Sequence, residues 1–272
     1  MVASVFNRFA PIDFTRYIDR LTERFIGREW LFEQIDHWLQ QGNEQFYLLT
    51  GEPGVGKSAI AAKLIQLCND IAAYHFCRAG DVKTVRPGRV LRSLAAQLGK
   101  TLPHYGEALA KTIDPIHLRI EVNINIESLS NSQVTGIYIE NLKESDPREE
   151  LEILLRAPLA LLTDLYAEHN QPLPTLKLLL IDSLDEAVTT TGRDNIAILL
   201  AALSQAEGLP TWIRFILTAR PDLRVLEQFE SLRLYKLEEL LAQNLEDIER
   251  YVQNRVHSNP KSFVRKHHIH PV

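Results

Sequence analysis

Residues 48–61 read LLTGEPGVGKSAIA. Gly51, Gly54 and Gly56, with a proline among them, follow directly on an apolar run, and Lys57 closes the stretch before a second apolar segment begins. Glycine permits positive φ and lets a backbone approach another group closely. FYLLT, 46–50, is short and apolar, as a buried strand is, and KSAIAAKLIQLC, 57–68, reads as a helix. A glycine-rich turn from strand into helix aims several backbone N–H groups and the positive end of a helix dipole at one point. Gly51, Gly56, Lys57 and Ser58 also fit the spacing G-x-x-x-x-G-K-[ST], whose chemistry is phosphate binding. Gly51, Glu52, Pro53, Gly54, Val55, Gly56, Lys57, Ser58 and Ala59 are therefore the candidate nucleotide-binding loop. In it Lys57 neutralises the outer phosphates and the Ser58 hydroxyl binds Mg²⁺.

Reading outward, strands alternate with helices. REWLFEQIDHWLQQG predicts an amphipathic helix with Trp30, Leu31, Ile35, Trp38 and Leu39 on its apolar stripe and Gly42 at its end. IAAYHFC, 71–77, LKLLLID, 176–182, WIRFILT, 212–218, and SLRLYKL, 231–237, predict strands. PGRVLRSLAAQLG, 87–99, predicts a helix from Pro87 to Gly99. Further helices are expected over about 147–168, interrupted at Pro158, over about 194–205, and in NLEDIERYVQNRV. Continuously apolar strands between helices imply an α/β fold with a parallel central sheet flanked by helices. Residues 118–140 break the rhythm: Leu118, Ile120, Val122, Ile124 and Ile126 alternate with polar residues, the period of an inserted β-hairpin.

In such sheets ligands bind at the carboxyl ends of the strands. Two more signals fall there. LLLIDSLDEA ends a strand with Asp182, a candidate to hold Mg²⁺, and carries Asp185 and Glu186 a few residues on. Either could orient or deprotonate an attacking water, with Glu186 the first choice and Asp185 the second. ILTARPDL ends another strand with Thr218, Ala219, Arg220 and Pro221; an arginine there can spread the charge of a terminal phosphate.

These signals, with FIGREW at 25–30, resemble the STAND class of P-loop NTPases, AAA+-related ATPase cores, and within it the NACHT family. Asp182, Ser183, Leu184, Asp185 and Glu186 match the acidic motif of that family in full; Thr218 to Pro221 match its sensor motif with Ala219 in place of serine. The resemblance implies ATP or ADP as ligand, Mg²⁺ as cofactor, and Ile26, Gly27 and Arg28 as a lining of the adenine pocket. It covers about residues 24–255, between a lead-in, 1–23, and a flexible tail, 256–272. About 50 residues follow Arg220, too few for the helical and winged-helix domains usual in the class, so the chain is expected to be a fragment, truncated product or minimal relative. The function implied is a slowly hydrolysing, nucleotide-dependent signalling switch, with self-association through the core a possible partner mode.

Composition narrows the alternatives. A net charge of -5 supplies no basic field, which counts against an ATPase acting on nucleic acid. A binding scaffold without turnover is the other alternative, disfavoured by the presence of every expected polar group. Cys68 and Cys77 form no C-x-x-C pair, the N-terminus has no signal-peptide pattern and no run of 18 apolar residues occurs, so a cytoplasmic protein without membrane contact is expected. His267, His268 and His270 match no closed metal site, and His75, on a strand, reads as a core histidine.

Overall fold

The computed structural model describes residues 6–41, 44–113, 118–123, 133–140, 146–188, 194–237, 245–247, 249, 250 and 253. The chain opens with β1 (Phe6–Phe9), α1 (Thr15–Thr22) and α2 (Glu29–Gln41), then β2 (Phe46–Thr50), α3 (Lys57–Leu67) and β3 (Ile71–Phe76). α4 (Pro87–Thr101), α5 (Tyr105–Thr112), β4 (Leu118–Asn123) and β5 (Gln133–Glu140) follow. Next come α6 (Pro147–Leu151), α7 (Ala157–Glu168), β6 (Lys177–Asp182), α8 (Leu184–Ala187) and α9 (Ile196–Ser204), and last β7 (Ile213–Ala219), α10 (Leu223–Leu226) and β8 (Leu234–Lys236).

Among the described residues, five strands form one sheet in the order β3-β6-β7-β2-β8, every neighbouring pair parallel. This is the expected parallel α/β sheet, and it is compatible with a P-loop type of fold. Strand alternation divides the core in two. Phe46 and Leu48 of β2, Leu179 and Ile181 of β6, and Phe215 and Leu217 of β7 face α4, α5, α7 and α9. Tyr47 and Leu49, Leu178 and Leu180, and Ile216 face α1, α2 and α3. Apolar residues at both parities are what burial on two faces requires. Phe46 and Phe215, paired in register, stack with ring centroids 4.4 Å apart.

Leu31, Ile35 and Trp38 of the α2 stripe are buried, with Trp30 and Leu39 half-buried beside them. Gly42, expected to end that helix, lies outside the described residues, as do the tail 256–272 and its histidines. Gly99 does not end α4. It is buried inside a helix that continues to Thr101, whose hydroxyl donates to the Ala72 carbonyl at 2.8 Å. Gln97 also donates to the Tyr74 carbonyl at 2.9 Å and accepts from its N–H at 3.0 Å. β3 is an edge strand, and these bonds satisfy its outward backbone groups. The interruption expected at Pro158 is a π-turn over Glu152–Arg156, directly before α7. A proline lacks the N–H and collides with the carbonyl four residues back, so the helix widens there.

Of the hairpin expected at 118–140, the described residues give two antiparallel strands, β4 and β5, with a register irregularity between Glu121 and Val122; Ile124 and Ile126 lie outside them. Its outer partner is β1, which pairs antiparallel with β5 from Phe6↔Glu140 to Phe9↔Ile137. The lead-in is thus knitted into the protein, and Phe14 and Ile18 are buried in the core. His75 is a core histidine: fully buried, with one ring nitrogen 2.8 Å from the Thr84 carbonyl. Burial lowers its pKa to about 4. No helix among the described residues is long and apolar enough to cross a membrane.

Phe215 is 0% exposed and stacked at the centre of the sheet. Phe215→Ala is expected to cost about 3–5 kcal/mol, read as a shift in the midpoint of chemical denaturation.

Candidate functional site

β2 runs directly into the glycine loop, and the loop begins tied down: the Gly51 N–H donates to the Ala219 carbonyl at the end of β7, 3.3 Å away. Gly54 and Gly56 have φ of 86° and 100°. A Cβ placed on either meets nothing within 4 Å, so backbone conformation, not crowding, demands glycine. Gly56 caps α3, whose first turn carries no acidic side chain to offset its positive end. Glu52, Pro53 and Gly54 form the exposed rim. Lys57 is 7% exposed and bends over the loop, donating to the Gly51 carbonyl and, at 3.0 Å, to that of Glu52. A buried ammonium needs such acceptors.

β6 brings Asp182 to the same end of the sheet, 1% exposed. One carboxylate oxygen accepts from the Thr218 hydroxyl of β7 at 2.7 Å; the other accepts from the Ser183 hydroxyl at 2.9 Å. Thr218 in turn accepts from the Ser183 N–H at 2.9 Å. Ser183 stands 3.4 Å from Ser58, oxygen to oxygen, which links the acidic strand end to the glycine loop. Ser183 adopts φ 62°, a left-handed conformation uncommon for a residue with a side chain. Desolvation raises the Asp182 pKa, opposed by the bonds from Thr218, Ser58 and Ser183 and by the charge of Lys57. Hydroxyl and carboxylate oxygens are the hard ligands that suit Mg²⁺.

Asp185 and Glu186, on the short α8, have different surroundings. Asp185 is buried, and both its oxygens face Arg220: one accepts from the Arg220 N–H at 2.8 Å, the other stands 3.2 Å from Nε. Glu186 is more accessible; it accepts from the Ala79 N–H at 2.7 Å and lies 3.5 Å from Arg220 Nη2. Arg220 is thus clamped between two carboxylates.

Beside the loop lies a cavity of about 610 Å³, lined by Leu21, Phe25, Ile26, Arg28, Val55, Ala59, Ile60 and Asp247 among others. Of Ile26, Gly27 and Arg28, the first and last line this cavity and Gly27 does not. Gly27 has φ 80°, and a Cβ there would sit 2.3 Å from an Asp247 oxygen. Arg28 donates to the Val55 carbonyl at 2.8 Å, so the wall is fastened to the glycine loop. Its other terminal nitrogen is buried and has no hydrogen-bond partner among the described residues. Asp247, 5% exposed, accepts from the Arg28 N–H and the Trp30 indole N–H, both at 3.0 Å. Asp247 was not singled out in the sequence, where it is one acid in a charged helix. Away from this end, His104, Glu107 and His169 bring ligand atoms within 4.8 Å of one another. There Lys111 stands 3.5 Å from the Glu107 carboxylate and already supplies a cation.

A family model described as the N-terminal region of nephrocystin 3 matches residues 27–155. The matched stretch, a little under half of the chain, includes Gly27, Arg28 and the glycine loop and stops before Asp182. The similarity is at the level of a family hint.

The folded-state pKa of Asp182 lies above its ordinary value of 3.8, so protonation favours the folded state. That contribution is complete below 3.8 and is lost as pH rises through the folded-state value. Asp182→Asn, which carries no charge to bury, is expected to gain in stability relative to the native chain as pH rises from about 4 to 7. Urea midpoints of the two proteins across that range test this.

Proposed function

We propose that this chain is an ATP-binding P-loop NTPase, a STAND-class and NACHT-like molecular switch that hydrolyses ATP slowly with Mg²⁺. One observation carries the reading: Ser58 of the glycine loop is linked through Ser183 to Asp182 of β6, beside a cavity walled by the loop itself. The strand order supports it, because the neighbouring strands β6, β7 and β2 deliver all three motifs at the carboxyl end of a parallel sheet.

In this reading Lys57 exchanges its carbonyl partners for phosphate oxygens, and the loop N–H groups and the α3 N-terminus hold the remaining charge. The adenine occupies the cavity against Ile26 and Arg28, whose unpartnered buried donor faces a ligand rich in acceptors. Ser58 and Asp182 would hold Mg²⁺, which would supply charge neutralisation to the phosphates. Glu186 orients the attacking water and accepts its proton. Asp185 keeps Arg220 in place, and Arg220 lends positive charge to the terminal phosphate as it passes to water. Switching follows if the bound nucleotide joins loop, cavity wall and Asp247 helix into one state and its loss frees them.

Two substitutions test the proposal. Lys57→Ala is expected to abolish binding of a fluorescent ATP analogue. Glu186→Gln is expected to bind it with native affinity while turnover falls about 100-fold or more. Native binding and turnover in Lys57→Ala would overturn the reading.

A further inference from the structure

Gly27 and Arg28 take consecutive left-handed backbone conformations, with φ of 80° and 70°. Glycine adopts this region freely; for arginine it is strained, and such strain persists only where the surroundings over-determine it. Here the surroundings come from far along the chain. Asp247 Oδ2 accepts from the Arg28 N–H and from the Trp30 indole N–H, both at 3.0 Å. The same oxygen stands 3.9 Å from Arg28 Nε. The other carboxylate oxygen fits against Gly27, where a Cβ would come within 2.3 Å of it, and lies 3.9 Å from Arg250. Arg250 in turn stands 3.4 Å from both carboxylate oxygens of Glu29. Residues 247 and 250 thus grip the turn at 27–30 at every residue.

The grip fixes a side chain that lines the cavity. Arg28 Nη2 donates to the Val55 carbonyl of the glycine loop at 2.8 Å, and the guanidinium carbon lies 5.8 Å from the Trp30 ring centre. Nη1 is buried and has no hydrogen-bond partner among the described residues. A buried donor without an acceptor is costly, and an acceptor entering the cavity would remove that cost. The ring nitrogens of a purine are such acceptors. Nη1 meets them only while the Arg28 backbone holds its left-handed turn, and Asp247 is what accepts from that backbone. We infer that Asp247 is a positioning residue for the nucleotide base: it holds Arg28 in the conformation that offers Nη1 to the cavity, so base binding depends on the segment carrying Asp247 being docked. By linkage, an occupied cavity holds that segment in place more firmly than an empty one. The inference rests on the nucleotide reading above and deepens it, since that reading sets the base against Arg28 and this one names what holds Arg28 there.

The test compares two ligands of the full chain by calorimetry with Mg²⁺ present: ATP, and inorganic tripolyphosphate, which has the phosphates and no base. Asp247→Ala is expected to weaken ATP about tenfold and to leave tripolyphosphate within about twofold of native. Asp247→Asn, which keeps an oxygen for both N–H groups, is expected to stay within about threefold of native for ATP. In an Arg28→Ala background, Asp247→Ala is expected to weaken ATP by less than about twofold further, because its effect passes through the Arg28 side chain. Native ATP affinity in Asp247→Ala, an equal loss for tripolyphosphate, or an undiminished loss in the Arg28→Ala background would overturn the inference and leave the nucleotide reading standing. A native chain that binds neither ligand would remove both.

Discussion

A carboxylate buried where three chain segments end is the constraint on which this structure turns. Asp182 terminates β6 with almost no exposure, and water cannot solvate it. Burying such a group is costly unless hydrogen bonds replace the lost hydration. The replacements come from β7 through Thr218 and from the following residue through Ser183, whose hydroxyl oxygen stands 3.4 Å from that of Ser58 on α3. Satisfying one charge therefore sets the relative height of β6, β7 and the glycine loop. The left-handed Ser183 is part of the arrangement, since it turns both its N–H and its hydroxyl back toward the strand ends. Backbone strain of that kind persists where the surroundings over-determine it.

Around that point the two faces of the sheet have different roles. The face covered by α4, α5, α7 and α9 is a large apolar core, with the stacked Phe46–Phe215 pair at its centre. The other face carries α1, α2 and α3, and the cavity opens at its edge. The polar links on that side join distant parts of the chain: Arg28 to Val55, and Asp247 to Arg28 and Trp30. A polar contact of this sort needs both partners in place and is lost when either moves. The arrangement suits a site whose walls respond to what it holds, and it explains why Gly27 must be glycine, with Asp247 lying against its bare Cα.

Much of the fold was legible locally. The strands at 46–50 and 71–76, those ending at Asp182 and Ala219, and the helices at 29–41 and 57–67 follow from apolar periodicity and punctuation by glycine and proline. Local signals erred where a long-range bond outweighed them. Gly99 has the look of a helix end, but Thr101 gains the Ala72 carbonyl by continuing the helix. Phe6–Phe9 gives no sign of its partner, which lies beyond residue 130.

From the sequence alone came the parallel α/β class, the inserted pair of alternating strands, the glycine-loop spacing and the acidic strand end. These depend on residue type and short-range order, and backbone sterics and side-chain burial act over a few residues. Only the tertiary structure decided the strand order and the placing of Ser58 beside Ser183. It alone divided the labour between Asp185, which clamps Arg220, and the more accessible Glu186. It also brought Asp247 to the cavity wall beside Arg28 and Trp30. Those outcomes depend on which distant groups share a buried volume, and no pattern within either segment encodes the partner at the other end of the contact.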